Sequence, residues 1–245
     1  MGLTSAQIRT FEKFLKRDPL LAFDFDGTLA PIVQKRTQAR MRSSTRALLK
    51  QVSRHFDIAI VTGRGVRDAR TKTRGVRGLI FIGNHGAEIG PRVLVSPSKA
   101  REWRRLLSRR LREVQGADIE DKKFSLSIHF IQSRDKGRAE RAIREALKEL
   151  RGCKVVEGKY VFNRVDARAP GKGGALKILM RERKIGHAIF FGDDVTDEDA
   201  FRLSRKKVLS VKIGARDRTR AQLVLKRQID IDAVLKLIVK RSTRV

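Results

Sequence analysis

The chain has 245 residues, of which 40% are hydrophobic and 34% are charged. This composition is typical of folded globular proteins rather than disordered chains. Cys153 is the single cysteine, which excludes an internal disulfide framework and a cysteine-based zinc cluster. No apolar run approaches the roughly 18 residues of a membrane-spanning helix, and the first residues lack the apolar centre of a signal peptide. We therefore expect a cytoplasmic protein that binds no membrane.

The charge is strongly basic, with 57 Lys and Arg against 27 Asp and Glu and a net charge of +30. Such a charge attracts phosphorylated ligands, nucleic acid and acidic surfaces without choosing among them. Non-specific binding of nucleic acid or another polyanion is therefore one hypothesis. The basic residues are spread along the whole chain, however, and one Trp and one Tyr leave little for base stacking.

The predicted elements begin with an N-terminal segment of helical spacing, followed by apolar runs that end abruptly at polar residues. Four such runs stand out: Leu20–Phe23, Ile58–Val61, Leu79–Ile82 and Ala188–Phe191. Runs that are apolar on both faces suit the strands of a parallel sheet covered by helices. Helical patterns lie between several of them, for example at 43–54 and 173–183. This alternation predicts an α/β fold with a doubly wound, Rossmann-like parallel sheet.

The middle of the chain follows a different pattern. It predicts, in order, a basic helix at 98–114, an alternating strand at 124–130, an amphipathic helix at 136–150, and strands at 154–156 and 160–165. This order suits a small α+β domain whose sheet has one face in solvent. We expect an insertion that divides the core into two segments. The predicted boundaries are 1–92 for the N-terminal core segment, 93–168 for the inserted domain and 169–245 for the C-terminal core segment.

The first polar cluster is the segment Asp24–Thr28, directly after the first apolar run. Side chains two positions apart in extended backbone point to the same side, so Asp24 and Asp26 can reach one site. Adjacent carboxylates repel each other unless they share a proton or bind a cation. The pair therefore predicts a divalent-metal site, an acid/base pair, or both.

The second polar cluster follows the fourth apolar run and holds five acids within eight residues, from Gly192 to Asp199. Helix capping accounts for some of them, because acids suit helix N-termini. It does not account for Asp193, which comes directly after the strand. Hard carboxylate oxygens favour Mg²⁺. The predicted ligands of a Mg²⁺ ion are Asp24, Asp26, Asp193, Asp194 and Asp197.

Two single residues are placed well for holding phosphate. Thr62 follows the second apolar run and precedes Gly63, so it offers a hydroxyl and backbone N–H groups. Lys172 lies between Gly171 and Gly173 at the start of a helical pattern, and offers a point charge beside helix-terminal amides. Because ligands of such folds bind beyond the carboxyl ends of the strands, we expect both residues at the acidic clusters.

Together these residues resemble those of the haloacid dehalogenase-like phosphatase superfamily, and the likeness extends over nearly the whole chain. Four segments look like trehalose-6-phosphate phosphatases: Leu20–Ile32 (LLAFDFDGTLAPI), Gly83–Glu88 (GNHGAE), Lys172–Leu176 (KGGAL) and Phe191–Phe201 (FGDDVTDEDAF). The resemblance implies a hydrolase core with an inserted α+β cap domain, where the residue pattern also places an insertion. It further implies a Mg²⁺-dependent phosphatase whose substrate is a small phosphorylated sugar, trehalose 6-phosphate. We expect the protein to be a monomer.

The resemblance also implies roles for the core residues. Asp24 resembles the nucleophile of the superfamily and Asp26 its general acid/base. Thr62 and Lys172 resemble its phosphate-holding residues, and Asp193 resembles its second metal carboxylate. In the implied reaction Asp24 attacks phosphorus, and Asp26 protonates the leaving sugar oxygen. Asp26 then deprotonates the water that hydrolyses the aspartyl-phosphate.

The inserted domain carries the expected sugar contacts. Glu120–Lys122 and Ser127–His129 resemble the family's Glu-x-Lys and Ser-x-His motifs, of which the Glu and Lys bind sugar hydroxyls. This chain departs from many relatives at Asn163, where they have a glutamate. Arg64 and His85, at strand ends, are expected to organise the site. The predicted substrate-binding residues are Arg64, His85, Glu120, Lys122, His129 and Asn163.

Three alternatives remain open. Another sugar phosphate is a possible substrate of the same mechanism. A phosphomutase shares the Asp-x-Asp pattern, whereas an ion-pump ATPase of the superfamily has Thr where Asp26 stands. The third alternative belongs to another class, a polyanion-binding protein in which the catalytic residues are vestigial.

Overall fold

The structure is a computed structural model that describes residues 2–33, 35–158, 160–215 and 218–242. None of the helices in these ranges is long and apolar enough to cross a membrane. The α-helices are α1 (Ser5–Leu15), α2 (Ser43–Val52), α3 (Val66–Lys72), α4 (Pro97–Arg110), α5 (Lys136–Lys148), α6 (Gly171–Glu182), α7 (Glu198–Phe201) and α8 (Ile231–Ser242). Short 3₁₀ helices occupy Arg36–Gln38, Asn84–Gly86, Val195–Asp197 and Gln228–Asp230.

The strands form two separate sheets. In chain order they are β1 (Leu20–Phe23), β2 (Ile58–Val61), β3 (Leu79–Gly83), β4 (Glu88–Ile89), β5 (Arg92–Val93), β6 (Asp118–Asp121), β7 (Ser125–His129), β8 (Cys153–Gly158), β9 (Val161–Asp166), β10 (Ala188–Gly192), β11 (Val208–Ile213) and β12 (Leu223–Leu225). The four apolar runs of the sequence are β1, β2, β3 and β10, as predicted.

The larger sheet has eight strands in the order β12-β11-β10-β1-β2-β3-β4-β5. The strands from β12 to β3 are parallel, and β4 and β5 are antiparallel additions at one edge. Strands β11 and β12, which the sequence analysis does not predict, extend the other edge. The doubly wound α/β core is therefore confirmed.

Helices cover both faces of this sheet, which is why its central strands are apolar on both sides. Phe23 of β1 stacks on Phe191 of β10 with ring centroids 4.6 Å apart, and both pack against α1, α2 and α8. Ala22 and Phe190 point the other way and pack with residues of α6 and α7. Full burial of a side chain such as Phe23 contributes about 1.5–3 kcal/mol. Packing on both faces holds the strand ends, and the residues that follow them, in place.

The smaller sheet is antiparallel, in the order β6-β7-β9-β8, and together with α4 and α5 it is called the cap below. Helices α4 and α5 pack on one face, where Trp103 and Ile128 are buried. The opposite face is also buried at the central strands, where Ser125 is 1% exposed and Asn163 7%. The expectation of a solvated face is therefore wrong there. The reason is that this face lies against the core, where Ser125 donates a 2.8 Å hydrogen bond to Asn84.

Helix α4 ends at Arg110, four residues before its predicted end. A turn follows, in which Gly116 has a φ of +77°. A Cβ at Gly116 would lie 2.4 Å from the backbone nitrogen of Ser133, so only glycine fits. The turn leads into β6, a strand that the residue pattern does not predict and that carries Glu120.

Candidate active site

The candidate catalytic residues lie where parallel strands end. Asp24 follows β1, Thr62 follows β2, and Asp193 follows β10. These three strands are neighbours in the sheet, so their carboxyl ends share one edge. Lys172 reaches the same place from the first turn of α6, and its Nζ lies 3.0 Å from Asp24 Oδ2.

Three carboxylates form a compact cluster at this edge. One oxygen each from Asp24, Asp193 and Asp197 lie within 4.8 Å of one another. Burial raises the pKa of Asp24 well above its ordinary value, and the nearby carboxylates raise it further, whereas Lys172 lowers it. Burial and the charge of Asp197 likewise raise the pKa of Asp193 to about 8. The cluster therefore holds more negative charge than its own surroundings neutralise.

Lys172 is the cation nearest to this cluster, and its side chain is only 2% exposed. Its Nζ lies 2.7 Å from Asp197 Oδ1 as well as 3.0 Å from Asp24 Oδ2. Burial alone would lower the pKa of Lys172, but Asp197 and Asp24 raise it above its ordinary value. The lysine is therefore charged and fixed beside the candidate nucleophile.

The glycines on either side of Lys172 allow α6 to approach α7. A Cβ on Gly171, whose φ is +78°, would lie 2.2 Å from Asp199 Oδ2, and one on Gly173 would lie 2.5 Å from the Asp199 carbonyl oxygen. The N–H of Gly173 instead donates a 2.9 Å hydrogen bond to Asp199. The Gly-Lys-Gly pattern is therefore needed to bring Lys172 into the cluster.

The five predicted metal ligands divide into three groups. Asp24 and Asp193 lie side by side at the strand ends. Asp197 directs one oxygen to Lys172 and accepts at the other from the N–H groups of Asp193 and Asp194, at 2.9 Å each. Asp194 accepts a 2.7 Å hydrogen bond from Val195 N at the start of a 3₁₀ helix. Asp26 and Asp194 stand outside the three-carboxylate cluster of the described residues.

The donor set fits a divalent cation. Its ligands are hard oxygens, which suit Mg²⁺, and a cation would offset the effect of burial and of neighbouring carboxylates, which raise the pKa of Asp24 and Asp193. Asp193 is also held by Thr28, whose hydroxyl donates to it at 3.2 Å. Gly27 makes room for this carboxylate, because a Cβ there would lie 1.9 Å from Asp193 Oδ2.

Thr62 is 1% exposed, and its hydroxyl accepts a 3.2 Å hydrogen bond from Arg64 N. The next residue, Gly63, lies under the ring of His85, and a Cβ there would approach that ring to 2.5 Å. His85 is 8% exposed, and neither ring nitrogen has a hydrogen-bond partner in the part of the chain that the structure describes. Burial lowers the pKa of His85 well below its ordinary value, and Lys122 and Lys172 lower it further. His85 is therefore a neutral imidazole beside the phosphate-holding candidates.

Asp26 forms a bidentate ion pair with Arg64. Arg64 Nε lies 2.6 Å from Asp26 Oδ2, and Nη2 lies 2.7 Å from Oδ1. The Arg64 side chain is 2% exposed, whereas that of Asp26 is 40% exposed. The Asp26 carboxylate thus lies between the buried Arg64 side chain and the solvent.

Three of the predicted sugar-binding residues lie together on the cap. Glu120 of β6 contacts His129 Nε2 at 3.1 Å and Lys122 Nζ at 3.8 Å. Lys122 also donates a 3.1 Å hydrogen bond to the carbonyl oxygen of Gly63 in the core. Burial, Arg36 and Arg64 lower the pKa of Lys122 to about 7, although Asp26 opposes the shift. Burial, Lys122 and Arg36 lower the pKa of His129 to about 4.

Asn163 lies on the neighbouring strand and is held within the cap. Its Oδ1 accepts a 2.6 Å hydrogen bond from Ser127, and its Nδ2 donates to the carbonyl oxygen of Val156 at 3.3 Å. A carboxylate in the same place would face that carbonyl oxygen with no proton to donate. This contact gives a physical reason for asparagine rather than an acidic residue at position 163.

Two residues that join the core to the cap were not among the predicted site residues. Arg36 pairs with Glu120 across the cleft. Asn84, with a φ of +50°, accepts from Ser125 and donates to the carbonyl oxygen of Lys122 at 3.2 Å. Asn84 stands in the GNHGAE segment, which was a usable signal. Nothing local distinguishes Arg36 from the other basic residues of the chain.

Two cavities open on either side of these contacts. One of about 300 Å³ lies between the 3₁₀ segment that contains Arg36 and the cap residues Glu120 and His129. The other, of about 680 Å³, is lined by His85 and Lys172 from the core and by Lys154 and Val156 from the cap. The larger cavity therefore reaches Lys172 at the edge of the core sheet, and the smaller one lies beside Glu120 and His129 of the cap.

The protein has a Rossmann-like core, an acidic cluster with a buried lysine at the ends of its strands, and a separate sheet over that edge, which together are the architecture of a capped α/β protein. Comparisons with known proteins agree with this class. The trehalose-phosphatase family matches residues 22–226 of the chain. The chain belongs to this family.

Individual relatives support the same placement. Trehalose-phosphate phosphatase B of Arabidopsis thaliana is 30% identical over 214 residues, which cover 77% of this chain. The chain spans only 56–59% of the length of this and similar plant relatives. A crystal structure described as a trehalose-6-phosphate phosphatase related protein superposes with a TM-score of 0.75 at 25% identity, covering 92% of this chain and 99% of that one. The C-terminal domain of the Candida albicans trehalose-6-phosphate phosphatase shares the fold, with a TM-score of 0.81, 20% identity and 98% coverage of both chains.

Proposed function

We propose that this chain hydrolyses trehalose 6-phosphate to trehalose and phosphate through an aspartyl-phosphate on Asp24. The observation that carries the proposal is the cluster of Asp24, Asp193 and Lys172 under the cap, in a chain of the trehalose-phosphatase family. Relatives that bear the name trehalose-phosphate phosphatase support the choice of substrate.

We propose Asp24 and Asp193 as the residues that hold Mg²⁺. When bound, the ion neutralises charge on the transferring phosphoryl group. The raised pKa of both carboxyl groups supports this role, because two buried acids side by side favour a bound cation. Asp26, Asp194 and Asp197 remain candidates for outer positions around the ion, and the hydrogen bonds of Asp197 make it the residue that holds Lys172 and the loop after β10.

In the first step the Asp24 carboxylate attacks phosphorus while the bond from phosphorus to the sugar oxygen breaks. Asp26 gives that oxygen its proton. In the second step Asp26 takes a proton from water, the water oxygen bonds to phosphorus, and Asp24 leaves as a carboxylate. Lys172 and Thr62 hold the other phosphate oxygens. Holding them supplies the larger part of catalysis, because positioning and charge neutralisation govern phosphoryl transfer.

We propose residues 93–168 as the cap domain that selects the sugar. Glu120 accepts hydrogen bonds from sugar hydroxyls and Lys122 donates to them. Glu120 lines the 300 Å³ cavity, and Lys122 Nζ lies 3.8 Å from its carboxylate, which supports this. His129, Asn163 and the neutral His85 offer further polar contacts without charge.

The test is phosphate release from trehalose 6-phosphate, sucrose 6-phosphate, glucose 6-phosphate and mannosyl-3-phosphoglycerate, each with Mg²⁺ and with EDTA. Metal-dependent preference for trehalose 6-phosphate supports the proposal in full. Preference for another sugar phosphate keeps the mechanism and corrects the substrate. A phosphate moved between positions of a sugar, with none released, indicates a phosphomutase. No turnover at all, with salt-sensitive binding to random DNA, favours the polyanion-binding alternative.

A further inference from the structure

The environment of Arg64 distinguishes it from a residue that binds substrate. A guanidinium has five N–H donors. Two of those on Arg64 go to the Asp26 carboxylate, at 2.6 and 2.7 Å. Nη1 donates to Asp68 at 2.6 Å, and Nη2 also donates to the carbonyl oxygen of Arg36 at 3.0 Å. Four of the five donors are therefore directed to the protein itself.

A face of the guanidinium is covered as well as its edges. Arg64 lies over the buried ring of Phe25, 5.4 Å from its centroid, and its side chain is 2% exposed. Its backbone is fixed as well, because its N–H donates to Thr62 and its carbonyl oxygen accepts from Asn84. A planar fork held in this way orients a carboxylate in two dimensions, which a lysine ammonium does not do.

We infer that Arg64 is a positioning residue that makes no contact with substrate and acts only through Asp26, by fixing the plane of its carboxylate for proton transfer. This inference rests on the proposed function, in which Asp26 is the general acid/base. It replaces the expectation that Arg64 binds substrate directly. Asp68 and the Arg36 carbonyl oxygen accept further hydrogen bonds from the guanidinium and so hold Arg64 in place.

The leaving group separates this role from a structural one. A sugar oxygen leaves poorly without a proton, whereas p-nitrophenolate leaves without one, and kcat/KM reports the steps up to its departure. A general acid contributes about 10²–10⁴-fold, so its loss of orientation in Arg64→Lys is expected to lower kcat/KM for the sugar phosphate by about 10–100-fold. For p-nitrophenyl phosphate we expect a change below about 3-fold.

The decisive measurement is a double-mutant cycle with Asp26→Asn. If Arg64 acts only through Asp26, Arg64→Lys adds no further loss to Asp26→Asn on the sugar phosphate. Arg70→Lys is the matched control, because Arg70 lies on α3, the helix that follows Arg64, over the ring of Phe81 and outside the site. We expect it to leave both substrates unaffected.

Three results would overturn the inference: equal losses on both substrates, additive losses in the cycle, or a raised KM for the sugar phosphate with kcat unchanged. If Arg64→Lys does not fold, Asp68→Asn gives the same test, since it removes the anchor of the arginine without touching Asp26, and we expect a smaller loss with the same leaving-group dependence. Failure of the wild-type protein on every phosphate ester overturns the proposed function itself. An active wild-type protein with an insensitive Arg64 variant overturns this inference alone.

Discussion

The two sheets of the molecule hold ionisable groups in opposite ways. At the edge of the core sheet, burial among like charges raises the pKa of Asp24 and Asp193. On the facing side of the cap, burial among cations lowers the pKa of Lys122 and His129. The core thus concentrates acid that a metal ion can neutralise, and the cap concentrates bases that a hydroxylated, anionic ligand can satisfy. The two sides of the cleft therefore carry charges that a bound cation and an anionic ligand would balance.

The largest loss of activity is expected from Asp24→Asn on the core side, because this change removes the proposed nucleophile. Phosphate release should fall by about 10⁴-fold or more, the scale on which loss of a nucleophile acts. The measurement is steady-state phosphate release with Mg²⁺. Asp57→Asn, just before β2 at the opposite edge of the same sheet, is the control. A variant at Asp24 with more than about one hundredth of the wild-type rate would contradict the assignment.

On the cap side, Glu120→Gln removes a charged acceptor from the proposed sugar site. Hydrogen bonds to charged groups contribute about 1.5–3 kcal/mol, so KM for the sugar phosphate should rise about 10–100-fold. Because the proposed catalytic residues lie on the core, kcat/KM for p-nitrophenyl phosphate should hardly change. Glu149→Gln is the matched control, since Glu149 pairs with Arg110 on the exposed side of the cap. Equal effects on both substrates would show that Glu120 supports the fold and not the sugar.

The raised pKa of Asp193 predicts how the metal-free core responds to pH. Between about pH 4 and pH 8 the unfolded carboxyl group is ionised while the folded one keeps its proton, so the unfolded state binds fewer protons and stability falls as pH rises. In EDTA at pH 8, Asp193→Asn should therefore raise the free energy of unfolding by at least about 1.4 kcal/mol, the equivalent of one pKa unit.

Urea unfolding at pH 5 and pH 8, with EDTA and with Mg²⁺, measures this effect. Mg²⁺ should stabilise the wild-type protein more at pH 8 than at pH 5, and the Asp193 variant less at both. A wild-type stability that rises with pH in EDTA would refute the account of the acidic cluster.

The lowered pKa of Lys122 predicts that stability changes with pH in the opposite direction, and this effect is the smallest of those expected. Its folded pKa of about 7 lies below its ordinary value of 10.5, so between these pH values the unfolded state binds more protons and stability rises with pH. Lys122→Met should reduce that rise by at least about 1.4 kcal/mol, the equivalent of one pKa unit. Unfolding at pH 7 and pH 10 measures it, and Lys148→Met, at an exposed position of α5, serves as the control. An unchanged slope in the Lys122 variant would mean that its ammonium is well solvated.

Much of the core side was predictable from short segments. An apolar run that ends at Asp24, Thr62 or Asp193 locates a strand and also the polar residue that follows it. Because the carboxyl ends of parallel strands share one edge of the sheet, these polar residues are expected at the same edge. The Gly-Lys-Gly segment around Lys172 is local in the same sense. Strand β6 was not predictable in this way, since its charged residues Asp118–Asp121 carry no apolar alternation.

By itself, the sequence determined the α/β core and the edge of the sheet where the acidic residues meet, because these depend on local patterns of polarity and on carboxylates close together in the chain. Only the tertiary structure decided that Arg36 meets Glu120, that Arg64 holds Asp26, and that the second face of the cap sheet is buried. The physical reason is that any of 57 basic side chains has the charge to pair with a given carboxylate. The path of the backbone alone selects the partner.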